Sequence, residues 1–411
     1  MPIPAEGTSS GLDLSALDAM TEAVESGAGL PEIVRAASRA LEASLVLVDR
    51  SGAVLAVAAR SPADEQSLTM GANGVDTVEL RVADEPVGLM RMRARGEPGA
   101  ALVRIVATLI ASEVERVRAP ERASQEAAAG FLGSVLAREL TDEAEILAAA
   151  GELGVDLLTG ASFVVARVHA HIPSEDGWRP RVLAAAERGA RAAASGALAA
   201  LIERGDREGT EVTVLIPGGD DTQARRAAEG VLHELQSALP GHTFAVGRSR
   251  VAAEATDLAR AGAEALLAAN VAEGDTERPL LAFDDTGAYR LLLPAMSEDP
   301  AELQRFYAET VEPLVAYDEQ YETDLVQTVE AFLDADGNVA GTAARLFTHR
   351  HTIRYRLERV RELSGLDVGS TDGREKLSLG LKAMRVLGIA HRGGPATEAG
   401  VTGGRVPRRR Q

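Results

Sequence analysis

Apolar and polar positions along this chain follow two periods, and the change from one to the other marks out its parts. A helical stretch is predicted around Ala16–Leu41. The segment "SLVLVDRSGAVLAVAA" then reads as two apolar runs joined by Asp-Arg-Ser-Gly, which predicts a hairpin. A second hairpin is predicted in "TVELRVADEPVGLMRMR", where Val78, Leu80 and Val82 alternate before an Asp-Glu-Pro turn. From about Ala100 to Arg118 the period becomes helical. Val103, Ala107, Ile110, Val114 and Val117 recur in steps of four, three, four and three, a heptad seam. Two readings of that seam stay open: a helix lying on its own domain, or a dimerising or signal-transmitting helix. Pro120 is expected to end it, and "PERASQEAAAGFLGSVLAREL" to start another.

Between about Gly160 and Leu281 strands and helices alternate. "SFVVARVHA", "EVTVLIP", "HTFAVGRS" and "PLLAF" read as strands. "PRVLAAAERGARAAASGALAALIE", "DTQARRAAEGVLHELQSAL" and "ATDLARAGAEALLAANVA" read as helices, so this block is an α/β layered domain. From Asp284 onward the pattern is nearly all helical. "ELQRFYAETVEPLVAYDEQ" leads into a helix with Leu325, Val329 and Phe332 on one stripe, broken at Asp336-Gly337. Asn338 is placed to cap the next helix, which runs through Phe347. A longer helix is predicted from about His349 to Leu363, with Gly365 as its stop, and a last one carries Leu377, Leu381, Met384 and Leu387 on one face. Beyond Gly393 the chain is Gly, Pro and Arg with few apolar residues, and is expected to be disordered.

Composition narrows the class. At 411 residues there is room for several domains, and 45% apolar content with only 3% aromatic describes cores built from Ala, Leu and Val. No run approaches the roughly 18 apolar residues of a membrane span. The start, "MPIPAEGTSSGLDL", lacks a basic n-region and an apolar h-region, so a secretory signal is not expected and the cytoplasm is. Cysteine is absent, which excludes disulfides, thiolate catalysis, thiolate zinc sites and Cys-ligated iron–sulfur clusters. Lys376 and Lys382 are the only lysines among 43 basic residues, a bias that reads as a high-GC bacterial genome and says little about function.

Charge changes the picture more. The formal net charge is −19, yet Asn338–Leu363 holds six Arg and two Glu, a local +4, and His391–Gln411 holds five Arg and one Glu, another +4. Positive charge concentrated at one end of an acidic chain points to a polyanionic partner.

Two short helices separated by a tight turn, the second one basic, describe a helix-turn-helix. At 100° per residue Ile353, Leu357 and Val360 share one narrow face, expected to bury against Ala343 and Leu346. The opposite face carries His351, Arg354, Tyr355 and Glu358, flanked at the helix start by Arg350 and Thr352. In such motifs the first turns of the recognition helix enter the major groove. Arg can then pair with guanine in bidentate fashion, while Thr, Tyr and other Arg side chains grip phosphates. The helix that follows Asn338 is expected to point its free amides at a phosphate. The competing reading is a basic solvated face on an ordinary α-hairpin.

A resemblance favours the first reading. "LVQTVEAFLDADGNVAGTAARLFTHRHTIRYRLERVRELSGLDV" is similar to the C-terminal helix-turn-helix of PucR-like transcriptional regulators, the family that includes CdaR-like sugar diacid regulators. The matching residues are Leu325, Thr328, Leu333, Asn338, Thr342, Ala343, Leu346, His349, Arg350, Thr352, Tyr355, Arg356, Leu357, Gly365 and Asp367. "ERVRAPERASQEAAAGFLGSVL" and "LAFDDTGAYRLLLP" look like the segments flanking the middle domain in actinobacterial members. His351 departs from the usual Asn, which bears on DNA preference, and Thr348 from a common Val, which bears on packing at the turn.

The resemblance and the predicted elements together imply a multidomain α/β plus all-α chain. A GAF/PAS-like sensor region, suggested by two hairpins bracketed by helices, occupies residues 1–120, and a helical connector 121–159. A degenerate GGDEF-like domain follows over 160–283, a helical linker over 284–320, a Fis-like helix-turn-helix over 321–390 and a disordered basic tail over 391–411. The implied function is that of a ligand-responsive, sequence-specific, cytoplasmic bacterial transcription regulator. Its DNA-binding candidates are Thr342, His349, Arg350, His351, Thr352, Arg354, Tyr355 and Arg356. The implied partners are promoter DNA, a small-molecule effector and further copies of the chain, as a homodimer or higher homo-oligomer. No membrane and no cofactor are expected.

Catalytic candidates are weaker. "PGGDD", Pro217 to Asp221, resembles the GGDEF signature of diguanylate cyclases, but a strand precedes it and a helix follows, which makes it a strand-to-helix turn with Asp221 as a cap. His169 and His171 point to one face of a strand, and with no Cys and no acidic partner at a ligand spacing they read as ordinary histidines rather than a metal site. No Gly-rich phosphate loop, GxSxG elbow or HExxH motif is present, so no enzyme is expected. The alternative is a nucleotide-binding receptor or enzyme centred on the middle domain.

Overall fold

The computed structural model describes residues 14–389, except 51, 73, 97, 171–177, 203–209, 275–276 and 298. The tail expected to be disordered and His171 lie outside the described residues. The chain divides into two compact units, one formed by residues up to Glu126 with 176–181, the other by the remainder.

In the first unit the single helix expected over Ala16–Leu41 is two, α1 (Leu14–Glu25) and α2 (Leu30–Ala40). Gly27 and Gly29 separate them with φ of 65° and 84°, backbone that other residues rarely adopt. Strands β1 (Ala43–Val48) and β2 (Val54–Ala58) precede α3 (Pro62–Met70), and β3 (Asp76–Val82) and β4 (Glu85–Ala94) precede α4 (Ala100–Leu136). They form an antiparallel sheet in the order β2-β1-β4-β3, with both expected hairpins present. The second hairpin turns at Ala83-Asp84, just before the Glu-Pro pair that opens β4.

Every residue of β1 is buried because both faces of the sheet are covered. Leu45 and Leu47 meet Ile33 and Val34 of α2 and Ile110 and Val114 of α4, while Val46 and Val48 meet Leu68 of α3. The sequence pattern did not reveal α3, since Leu68 is its one buried position and no apolar stripe exists to be read. Its signals are at its ends: the Ser61 hydroxyl accepts from the Asp64 amide at 3.1 Å, and Gly71 closes it.

The heptad seam of α4 is consumed within its own unit at Ala107, Ile110 and Val114, while Val117 is 47% exposed. Pro120 does not end the helix, contrary to expectation; α4 runs through it to Leu136. Proline removes one intrahelical bond, and at this exposed position water can serve the carbonyl left free.

The second unit continues with α5 (Glu143–Glu152), β5 (Ala161–Ala170), α6 (Trp178–Ala193), β6 (Leu198–Leu201), β7 (Thr210–Pro217), α7 (Asp221–Ala238), β8 (His242–Arg248), α8 (Leu258–Glu273) and β9 (Leu280–Ala282). The sheet order is β6-β7-β5-β8-β9, antiparallel except for β8 with β9. The alternation of strands and helices matches the sequence pattern with one correction. The helix expected to run from Pro180 to Glu203 stops at Ala193, and Leu198–Leu201 pairs with β7 as an edge strand. Pairing and burial override the helix preference of an alanine-rich segment.

The chain then forms α9 (Leu293–Ser297), α10 (Pro300–Thr310), α11 (Glu312–Tyr321), α12 (Leu325–Asp334), α13 (Val339–Arg345), α14 (Arg350–Ser364) and α15 (Thr371–Val386). These helices have no core apart from the sheet domain. Leu267 and Val271 of α8 belong to the same apolar cluster as Val311, Leu314, Val329, Phe332, Ile353, Val360, Leu377 and Leu381. The Asn270 side-chain amide donates to the Val386 carbonyl at 2.6 Å. Arg385 bridges Glu330 at 2.8 Å and the Tyr289 hydroxyl at 3.4 Å. Burial works against its charge, but Glu330 and Tyr289 outweigh this and hold its pKa above the ordinary value. No helix among the described residues is long and apolar enough to cross a membrane.

One close approach supports the α8–sheet layer. A Cβ on Gly247 of β8 would collide with the Ala265 carbonyl and the Ala269 amide of α8. Gly247→Val is therefore expected to destabilise the chain by about 2 kcal/mol. A lower urea midpoint at unchanged slope is the expected result, and an unchanged midpoint would show that α8 can move aside.

Candidate nucleic-acid interface

The candidate interface is framed from α11 and α12. The apolar stripe of α12 buries Leu325, Val329 and Phe332. Its first turn is capped from another helix: the buried Asp318 carboxylate of α11 accepts from the Leu325 amide at 2.8 Å and the Val326 amide at 3.0 Å. A negative charge at a helix N-terminus satisfies orphan donors and complements the helix dipole at once.

Asn338 caps α13 as expected, its Oδ1 accepting from Ala340 at 3.0 Å and Gly341 at 3.2 Å. That cap narrows a second expectation, because two of the first-turn amides foreseen as phosphate donors, those of Ala340 and Gly341, are taken up by it. Thr342 is fully buried, its hydroxyl donating to the Asn338 carbonyl at 2.9 Å. Its side chain is part of the α13 fold and cannot reach a ligand.

The basic helix α14 starts where expected. His349 is its N-cap, with Nδ1 accepting from the His351 amide at 3.3 Å, and the two imidazoles stack at 5.2 Å between centroids. Ile353, Leu357 and Val360 are buried in one cluster with Ala343, and Leu346 packs against it. Arg350, His351, Arg354 and Tyr355 stand on the exposed side, with Thr352 half-buried beside them. Among the described residues neither Arg350 nor Arg354 has an ion pair, so both charges remain available to a ligand. Arg345 pairs with Asp334 at 3.1 Å, and Arg359 with Glu362 at 2.7 Å. Arg359 lies over the Tyr317 ring and is held above the ordinary arginine pKa, first by the Tyr355 hydroxyl and then by Tyr317.

Arg356 is the other candidate that turns inward. It is half-buried and bonds Asp324 at 2.9 Å and the Thr328 hydroxyl at 3.2 Å, tying α14 to the start of α12. It serves as a strut within the motif. Phe347 was not among the candidates, yet it stands 99% exposed in the turn before α14. An aromatic residue in a polar turn was the signal available.

The catalytic decoys resolve similarly. "PGGDD" is a strand-to-helix turn, but its cap is Asp220, which accepts from the Thr222 amide at 2.8 Å, rather than Asp221. Asp221 is the first helical residue and pairs with Arg248. His169 meets Glu273, which also binds Arg167 at 2.6 Å. Burial raises the Glu273 pKa, but His169 and Arg167 together leave it below the ordinary carboxylate value.

Comparison with known proteins agrees with this geometry. Residues 325–383 match the PucR C-terminal helix-turn-helix domain, and residues 137–271 match the GGDEF-like domain. The purine catabolism regulatory protein of Bacillus subtilis is 33% identical over 86 residues, which are 21% of this chain and 16% of that protein. The proline-responsive transcriptional activator PutR of the same organism is 28% identical over 130 residues, 31% of each chain. The chain thus spans under a third of the length of these curated relatives. A crystal structure of a regulator of polyketide synthase expression from Bifidobacterium adolescentis covers 64% of this chain and 98% of that one at 19% identity. The TM-score of that match is 0.27.

Two stability outcomes follow from the frame. Asp318→Ala strands two buried amides and should cost about 2 kcal/mol, read as a lower melting temperature of the full chain. Arg356→Ala and Asp324→Ala should be non-additive, with a coupling of about 1 kcal/mol in a double-mutant cycle. Strict additivity would mean that the strut does not form in solution.

Proposed function

We propose that this chain, which carries a PucR-type helix-turn-helix and a GGDEF-like domain, is a ligand-responsive, sequence-specific transcription regulator. In this reading it acts in the cytoplasm and binds promoter DNA through α14. The observation that carries the reading is the sorting of α14: a buried apolar face, and an exposed face where Arg350 and Arg354 have no ion pair among the described residues. Free guanidinium groups near a recognition-helix N-terminus suit guanine edges and phosphates.

A single motif reads few base pairs, so useful specificity calls for a homodimer or higher homo-oligomer on two half-sites. The first unit is read as a GAF/PAS-like sensor for a small-molecule effector. No turnover is assigned to the GGDEF-like domain. The engagement of Asp220 as a helix cap and of Asp221 with Arg248 supports that, since both carboxylates serve contacts within the fold.

Selection of random duplexes by the full chain tests the reading. Wild type should enrich one sequence. Arg350→Ala should weaken that complex by about 1–3 kcal/mol and relax preference at one position. Arg354→Ala should weaken all sequences alike and reduce the salt slope by about one. Unchanged affinity in both variants would remove α14 from the interface.

A further inference from the structure

Phe347 is the most exposed large apolar side chain among the described residues, at 99%. Its backbone makes that placement costlier. The end of α13 is a Schellman turn, in which the Phe347 amide donates to the Ala344 carbonyl at 3.3 Å and the Thr348 amide to the Ala343 carbonyl at 2.9 Å. The residue at its centre must take left-handed backbone, and Phe347 does so with φ of 48°. At the end of α14 the corresponding place is held by Gly365, with φ of 71°, and after α12 by Asp336. A phenylalanine there strains the backbone and leaves a phenyl ring in water. At that exposure it serves no core.

The surroundings indicate what covers the ring. It lies between Arg345, whose side chain is 60% exposed, and the cap of α14, where Arg350 and His351 follow. Tyr355, at 63%, adds a second exposed aromatic on the outward side of the same helix. An apolar ring in the turn that leads into Arg350, an exposed guanidinium with no ion pair among the described residues, suits a partner that combines negative charge with small apolar groups. Duplex DNA does so, since thymine methyl groups line the major groove beside the phosphates.

Resting on the reading that α14 enters the major groove, we infer that Phe347 is a specificity-determining residue, packing its ring on a thymine C5-methyl at the edge of the site. The strained, exposed conformation is then the bound one, held ready before DNA arrives. Arg350 supplies polar readout from the first turn of α14, and Phe347 supplies apolar readout from the turn before it.

The test uses the full chain as wild type, Phe347→Gly and Phe347→Leu. The probe is the duplex that wild type enriches, together with copies in which single thymines are replaced by deoxyuridine, which removes only the methyl. Phe347→Gly should melt at the same or a higher temperature, because glycine suits the turn. It should nevertheless bind the duplex roughly tenfold more weakly. One deoxyuridine should weaken wild type by roughly fourfold and leave Phe347→Gly unaffected. Phe347→Leu should retain part of the discrimination.

Equal binding by wild type and Phe347→Gly overturns the inference. So does a wild type indifferent to every deoxyuridine, or a marked loss of melting temperature in Phe347→Gly, which would make the ring structural. A lower sedimentation mass for Phe347→Gly would identify a second copy of the chain as the occupant and also overturn it. A wild type that enriches no duplex defeats the DNA-binding reading itself, before any variant is compared.

Discussion

A helix that must bury Ile353, Leu357 and Val360 has no freedom over where its arginines go. Those three side chains sit at the centre of the cluster formed with Val329, Phe332 and Ala343. Rotating α14 about its axis would expose them and drive Arg350 and Arg354 into an apolar core, where an unpaired charge is not tolerated. The exposed basic face is thus a consequence of the buried one. Arg356 lies between the two faces and is held by Asp324 and Thr328, which leaves Arg350 and Arg354 as exposed arginines of α14 with no ion pair among the described residues.

The same cluster reaches into the sheet domain. Leu267 and Val271 of α8 pack with Val311, Leu377 and Leu381, and polar ties at Asn270–Val386 and Arg385–Glu330 reinforce the contact. Turning α12–α14 against the β5–β9 sheet would require opening this core. Side chains packed at this density move between discrete arrangements rather than by small continuous slips. The basic helix and the GGDEF-like layer are therefore mechanically one object, although the two parts match different families over residues 325–383 and 137–271.

Charge is distributed to the same end. The chain carries −19 overall, yet the segment Asn338–Leu363 is locally positive. An acidic bulk repels a polyanion where that segment attracts it, which would orient an approach as well as permit it. Several arginines of the segment are matched by carboxylates in the structure, Arg345 by Asp334, Arg356 by Asp324 and Arg359 by Glu362. Local sequence charge overstates what a ligand would meet.

The sequence alone determined the helix-turn-helix, since its signals are local: the stripes of α12 and α14, the Asn338 cap, and the stops at Asp336 and Gly365. It determined the strand and helix alternation of the second unit and both hairpins of the first for the same reason, as period and turn chemistry act over a few residues. Only the tertiary structure decided that Leu198–Leu201 is a strand, that α4 continues through Pro120, and that α3 covers the far face of β1. For Leu198–Leu201 pairing with β7 outweighed local preference, for α3 a single buried leucine left no stripe to read, and at Pro120 an exposed position tolerated the lost bond. Only the tertiary structure, too, sorted the candidate contacts. Thr342 and Arg356 turn inward, Asn338 occupies two amides of α13, and Phe347 is left outside. These outcomes depend on what lies across the space from each side chain, Asp324 and Thr328 for Arg356 and, among the described residues, nothing that covers the Phe347 ring, and spacing along a chain does not encode that.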